Sequence, residues 1–345
     1  MLLFSPLAPD YPTPASDFER QVFDFCQMWK DGVTHFEFMT SGSTGSPKPI
    51  LIPREAMIAS ARLTGAWLQL NPQDVALLCL PVHYIAGAMV LVRALELDLS
   101  LVLVEPSVNP LQGISPLSIQ LASFVPNQWH AILKDKLDLA AFFSNAKGVL
   151  LGGSGLSPSL VDQTTEFKFP VYLTYGMTET VSHVACQQLS PTYSGFFSWL
   201  PGVTHQVGEN GCVSIKSDVT SQQWVQTNDI IEPIDDAHFS LLGRVDRVIN
   251  SAGRKIQAEK VETALGYLLP DRSFFVGSLP DDALGQKAVL FMEGSSVIDE
   301  HSLRVPSLES WEIPKEVIYL SKFETTSSGK MDRLKSVALY LNAQK

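Results

Sequence analysis

Apolar and polar positions change spacing several times along the 345-residue chain, and each change predicts an element. After a Pro-rich start, Phe18, Val22, Phe23, Phe25, Cys26 and Trp29 recur at helical spacing and predict one packed helix within residues 1–37. Residues 36–39 read as a short strand, 49–53 as a second strand and 54–70 as a helix. An apolar strand over 76–80 stops at Pro81. Residues 84–97 are apolar and of helix length, 99–104 have a strand pattern, and 117–123 read as a helix. Residues 148–153 form a strand ending in glycines, and 171–175 another. Strands alternating with helices predict α/β layering. From Val213 the pattern shortens to strands at 213–215, 223–225 and 239–241. Gly243 is the candidate boundary, dividing the chain into residues 1–243 and 244–345. Past it come a hairpin-like Val248-Ile249, a turn at Ser251-Ala252-Gly253 and a helix from Glu259.

Hydrophobic residues make up 45% of the chain and charged residues 18%, enough for a sizeable core in two or more domains. A net charge of −11 argues against nucleic acid and against an anionic membrane surface as partners. The most apolar segment, 75–92, is interrupted by Pro81 and His83, so it reads as buried strand plus helix and not as an integral membrane segment. The start, Met1-Leu2-Leu3-Phe4-Ser5-Pro6, has neither a basic region nor a long apolar run, so no leader is expected. Cys26, Cys79, Cys186 and Cys212 are scattered without a Cys-x-x-Cys pair, which predicts buried thiols in a reducing cytoplasm and no metal cluster.

The richest candidate chemistry is Thr40-Ser41-Gly42-Ser43-Thr44-Gly45-Ser46-Pro47-Lys48. Glycines leave backbone N–H groups open to an anion, the hydroxyls add donors, and Lys48 adds a point charge suited to phosphate. It is not a Walker A loop: Pro47 stands where the second glycine belongs, and Pro49 where a Ser or Thr would hold magnesium. Leu151-Gly152-Gly153-Ser154 closes a strand with two glycines, and Leu156 rules out a nucleophile elbow there.

The Thr-Ser-Gly-Ser-Thr-Gly-x-Pro-Lys stretch resembles the phosphate loop of the adenylate-forming superfamily of acyl-CoA synthetases, adenylation domains and luciferases. Further stretches match in family order. They are Tyr175-Gly176-Met177-Thr178-Glu179, Asp229 after Thr227-Asn228, Gly243-Arg244-Val245-Asp246, Gly253 with Glu259-Lys260-Val261-Glu262, and Gly329-Lys330-Met331-Asp332-Arg333. Two departures are Asn228 in place of a glycine and the absence of a proline before Thr325.

The resemblance implies a large layered α/β domain with a shortened N-terminal subdomain, about 40 residues before the loop, followed by a small mobile α+β domain. It assigns ATP to Thr40, Ser41, Gly42, Ser43, Thr44, Gly45, Lys48, Gly153, Ser154, Tyr175, Asp229 and Arg244. Thr178 donates to the α-phosphate, Glu179 ligates Mg2+, and Lys330 is the catalytic lysine. Asp246 is the hinge, and Gly253 faces the thiol of coenzyme A.

Within the superfamily, Leu80-Pro81-Val82-His83-Tyr84-Ile85-Ala86-Gly87 with Arg93-Ala94-Leu95 is similar to the o-succinylbenzoate–CoA ligases of menaquinone biosynthesis. That likeness puts Tyr84, Arg93, Gly152 and His183 at the carboxylic acid. Two readings of Arg93 stand open: a guanidinium facing the acid's spare carboxylate, or a surface partner of Glu96 three residues on. An aryl- or fatty-acyl-CoA ligase is the first rival. An amino-acid adenylation domain ranks lower, because residues 80–87 lack an aspartate for the α-ammonium. A non-catalytic nucleotide-binding module would be expected to have lost Glu179 or Lys330, and both remain. Expected partners are the acid, ATP and CoA, in a monomer or homo-oligomer.

Overall fold

Short runs of Val, Leu and Ala between residues 75 and 176 are buried on both faces, as strands inside a helix-covered parallel sheet must be. The computed structural model describes residues 1–39, 49–270, 272–295, 298, 303–325 and 331–343. The first part of the chain runs β1 (Leu2–Phe4), α1 (Asp17–Lys30), β2 (His35–Met39), β3 (Pro49–Pro53), α2 (Arg54–Leu68), β4 (Val75–Leu78), α3 (Ile85–Leu97) and β5 (Ser100–Leu103). It continues with β6 (Leu121–Phe124), α4 (Pro126–Lys134), α5 (Ala140–Phe143), β7 (Gly148–Leu151), α6 (Pro158–Thr165) and β8 (Val171–Gly176). Then follow β9 (His183–Ser190), β10 (Phe197–Trp199), β11 (Thr204–Val207), β12 (Cys212–Lys216), β13 (Val225–Pro233) and β14 (His238–Arg244).

Apart from the β2–β3 hairpin, these strands form one twelve-stranded sheet in the order β1-β5-β4-β6-β7-β8-β9-β10-β14-β13-β12-β11. The block β5-β4-β6-β7-β8 is parallel, with helical crossovers, and β8 onward pairs antiparallel. Two apolar cores cover its faces: α1, α2 and α3 pack into one, α4, α5 and α6 into the other.

Past Arg244 a 3-10 turn, Val245–Arg247, leads into a second sheet. Its elements are β15 (Val248–Ser251), β16 (Arg254–Gln257), α7 (Ala258–Gly266), β17 (Phe274–Asp281), β18 (Gly285–Glu293), β19 (Glu316–Leu320) and α8 (Arg333–Ala343). The strands run β16-β15-β18-β17, with β19 parallel to β18, around separate apolar clusters. Among the described residues no helix is long and apolar enough to cross a membrane, and no three His, Cys, Asp or Glu side chains gather as metal ligands.

Three sequence expectations change. Residues 117–123, read as a helix, instead enter β6, which is inserted between β4 and β7. A short apolar run has no period that separates a helix from a fully buried strand, and Pro116 and Pro126 leave little length for a helix. Gln223 and Trp224 lie outside the strand that starts at Val225 and runs on to Pro233. The helix expected over 54–70 stops at Leu68, where Gln69 takes a left-handed conformation at φ 52° and donates its backbone N–H to Ala66.

Candidate active site

Ligands of open α/β sheets sit at the carboxyl ends of the parallel strands. Here β7 delivers Gly152 and Gly153, and its neighbour β8 delivers Tyr175 and Gly176. Thr174 Oγ1 donates to the Leu151 carbonyl at 3.0 Å, and a Cβ on Gly152 would lie only 2.5 Å from that oxygen. Gly153 turns at φ +94°, and Gly153 and Ser154 are exposed at the rim. The result is a bare backbone ledge on which a flat ligand can lie.

Gly176 is forced by a closer approach: a Cβ there would stand 2.0 Å from the Ser182 carbonyl oxygen. Between them the chain makes the 3-10 turn Thr178–Thr180 and passes through Val181 at φ +62°, a strained conformation for a β-branched residue. Thr180 secures the turn, its hydroxyl accepting from the Met177 N–H at 2.9 Å and lying 2.8 Å from the Ser182 carbonyl, to which it donates. Gly176→Ala is therefore expected to cost about 1–3 kcal/mol, as overpacking does. The measurement is thermal unfolding, in which the midpoint should fall; an unchanged midpoint would show that the turn relaxes freely.

Thr178 and Glu179, on this turn, are half-buried. Glu179 lines a cavity of about 190 Å³ with Ile50, Pro53, Ala56, Thr220 and Ser221. The β2–β3 hairpin pairs Met39 with Pro49, and Ile50, the next residue of β3, is part of that cavity's wall. Thr40, Ser41, Gly42, Ser43, Thr44, Gly45 and Lys48 themselves lie outside the described residues, as does Lys330. A single carboxylate such as Glu179 fits Mg2+, which takes most of its shell from phosphate and water.

Four motif residues from three separate stretches converge. Tyr175 Oη donates to Asp229 Oδ2 at 2.9 Å, and Arg244 Nη1 donates to Asp229 Oδ1 at 3.2 Å. Arg244 also forks onto Asp246, Nε to Oδ1 at 3.0 Å and Nη2 to Oδ2 at 2.7 Å. Register brings this about, since Asp229 on β13 lies directly opposite Arg244 on β14. The hydrogen bond to Asp246 raises the guanidinium above its ordinary value. Burial works against ionisation of Asp246, but the Arg244 fork outweighs it and holds the carboxyl low. The Tyr175 ring is 7% exposed and meets Phe197, Trp199 and Phe239 edge-on, while burial and then Asp229 push its phenol up. Each Asp229 oxygen keeps lone-pair capacity for a further donor.

A second cluster surrounds Arg93. The side chain is 2% exposed; Nη2 donates to Ser182 Oγ at 3.0 Å, and Nε has no partner. Glu96 does not take it. That carboxylate accepts from Trp29 Nε1 at 3.2 Å and pairs with Arg62 at 3.7 Å. Burial lowers Arg93 to about 10, which leaves it charged at neutral pH. His183, 5% exposed, lies with Nε2 3.0 Å from Thr64 Oγ1 and Nδ1 3.3 Å from Ser182 Oγ. Burial, and then the charge on Arg93, hold its pKa well below the ordinary value, so it is neutral.

Tyr84 is the N-cap of α3, about 13 Å from Arg93 along the helix at 1.5 Å per residue, and stands apart from this cluster. Gly253 lies at the β15–β16 turn with φ +78° and open space around it. Sequence reasoning missed Ser182 and Thr64. Ser182 lay just beyond a recognised motif, and Thr64 on an amphipathic helix gave no signal.

A family model described as AMP-binding enzyme matches residues 36–207. The crystal structure of an acyl-CoA synthetase (AMP-forming)/AMP-acid ligase II-like protein from Dyadobacter fermentans is 36% identical, covers 98% of this chain and 99% of that one, and has a TM-score of 0.66. A 2-succinylbenzoate–CoA ligase of Staphylococcus epidermidis is 28% identical over 93% of this chain and 75% of its own. The o-succinylbenzoate CoA synthetase of Bacillus subtilis, solved with its acyl-adenylate intermediate, has a TM-score of 0.75 at 22% identity, covering 87% of this chain and 68% of its own, and shares the fold. Similarity at 36% identity runs the length of both sheets, and the chain belongs to the AMP-binding enzyme family.

Proposed function

We propose that this chain is an AMP-forming acid–CoA ligase whose acid keeps a second carboxylate, with o-succinylbenzoate as the substrate. In the first half-reaction a carboxylate oxygen attacks the α-phosphorus of ATP. The bond to pyrophosphate breaks, and pyrophosphate leaves with the electron pair. In the second, the CoA thiol loses its proton and its sulfur attacks the adenylate carbonyl. The C–O bond breaks and AMP leaves.

No residue forms a covalent intermediate, so the chain's work is positioning and charge. Asp229, oriented by Tyr175 and Arg244, accepts the ribose hydroxyls. The Gly152-Gly153 ledge supports the adenine and acyl groups. Thr178 donates to the α-phosphate, and Glu179, in the wall of its cavity, would hold Mg2+ on the triphosphate. Bound Mg2+ supplies neutralisation of phosphate charge. Residues 244–345 turn about Asp246 between the half-reactions, bringing first Lys330 and then the Gly253 turn to the carbonyl.

The observation that carries the choice of acid is Arg93. A buried guanidinium with a free Nε, and no ion-pair partner among the described residues, is costly unless a ligand completes it. A second carboxylate does so, directly or through water, with neutral His183 and Ser182 beside it. A fatty-acyl pocket gains nothing from such a cation. The relatives named for 2-succinylbenzoate support the same choice.

Arg93→Ala should raise KM for o-succinylbenzoate roughly tenfold or more, since removing one partner of a buried pair costs ~2–5 kcal/mol. KM for ATP should stay nearly unchanged. Steady-state kinetics across a panel of mono- and dicarboxylic acids checks this. A KM change under about threefold would contradict the role of Arg93, because one such contact should exceed that. Preference of the wild type for a monocarboxylic acid would overturn the substrate.

A further inference from the structure

Four charged groups of the small domain, Glu259, Arg247, Glu262 and Arg333, form one half-buried chain. Glu262, on α7, accepts from Arg247 Nη2 at 2.7 Å, from the Val276 N–H at 2.8 Å, and from both arms of the Arg333 fork at 3.0 and 3.2 Å. Arg247 also pairs through Nη1 with Glu259 at 2.7 Å. Glu259 in turn packs against the large sheet: a Cβ on Gly243 of β14 would lie 2.5 Å from its Oε2. The chain of contacts thus runs from the last strand of the large sheet, through the residue after Asp246, to Arg333.

Arg333 opens α8 three residues beyond Lys330. The stem of the lysine segment is fixed there. Thr325 bridges to Met331, the Asp332 N–H donates to the Glu324 carbonyl at 2.7 Å, and the Glu324 N–H donates to Ser336 Oγ at 2.9 Å. Burial pushes Glu262 up to about 7 against the pull of Arg247. Apolar residues of similar volume often serve a core as well as a buried ionic network does, so what such a network best supplies is a defined geometry.

We propose that Glu262 is a positioning residue for the adenylation half-reaction: through Arg247 and Arg333 it sets the foot of the Lys330 segment relative to the hinge. The inference rests on the reading of Lys330 as the adenylation lysine. All three members lie on the far side of Asp246, so the network travels with the small sheet, and Glu259, at its end, packs against Gly243 of the large one. Loss of Glu262 should therefore disturb the step that needs Lys330 and spare the step that needs the Gly253 turn.

The test uses full-length Glu262→Gln, with Arg333→Lys as a milder variant that keeps the charge and loses the fork. Adenylate formation should fall roughly tenfold in E262Q and less in R333K, with KM for ATP within about twofold, as for a displaced transition-state group. Conversion of supplied acyl-adenylate to thioester should stay within about twofold of wild type. Combining E262Q with Lys330→Ala should add less than about threefold to the loss from K330A alone, because the two act as a unit. Equal losses in both half-reactions with a lowered thermal midpoint would reduce Glu262 to a structural role and overturn the inference. So would wild-type adenylation in both variants, or fully multiplicative losses in the double variant. If K330A alone leaves adenylation intact, the reading of Lys330 fails and the inference goes with it. If K330A behaves as expected and E262Q does not, the inference alone fails.

Discussion

Lys330→Ala is expected to lower acyl-adenylate formation by roughly two orders of magnitude or more. As the carboxylate attacks, negative charge builds on the oxygens around the α-phosphorus and on departing pyrophosphate. A preorganised ammonium at that point costs no reorganisation, and removing one such group typically raises the barrier by about 2.7–4 kcal/mol. In the proposed mechanism the thiol step has no such need, since its leaving group is AMP and its nucleophile would arrive beside Gly253. The variant should therefore still convert supplied acyl-adenylate to thioester at close to the wild-type rate. Single-turnover assays of each half-reaction separate the two, and equal losses in both would show that Lys330 is not an adenylation residue.

Asp246→Pro should do the reverse, keeping adenylation and abolishing thioester formation. In the proposed mechanism Lys330 and the Gly253 turn, both following β14 in the chain, act in turn at one carbonyl, and rotation about a few backbone bonds would present each of them. Asp246 sits in the one 3-10 turn between the two sheets, tied to Arg244 by a two-pronged bridge and contacted by Asn228 Nδ2 at 3.4 Å. Proline locks φ near about −65° and so removes the backbone freedom that a pivot needs. Asp246→Asn separates the backbone effect from loss of the carboxylate; it should keep both half-reactions within about tenfold of wild type, since a bridge this exposed to solvent is worth little. Normal thioester formation in the proline variant would place the pivot elsewhere.

How far the site could be read from the chain depends on what kind of contact each residue makes. Tyr175, Asp229, Arg244 and Asp246 stand in motifs whose residue types already state a chemistry, and the β13–β14 register then brings them together. Arg93 stood out as a lone cation in an apolar helix, but its partner was illegible. Glu96 looked right at helical spacing, whereas Ser182, 89 residues away, receives the hydrogen bond because α3 is buried on that side. The Glu262–Arg333 pair spans 71 residues and joins α7 to α8, a contact that no periodicity encodes. The misread 117–123 segment has the same origin: only the neighbours β4 and β7 turn that apolar run into a strand.

The most direct test of an acid–CoA ligase is pyrophosphate exchange into ATP, measured with purified protein, Mg2+ and o-succinylbenzoate, followed by addition of CoA with mass detection of the products. The expected result is exchange that depends on the acid, then stoichiometric AMP and a single CoA thioester of o-succinylbenzoate. Exchange that no carboxylic acid stimulates, or adenylate that accumulates and never passes to CoA, would contradict it.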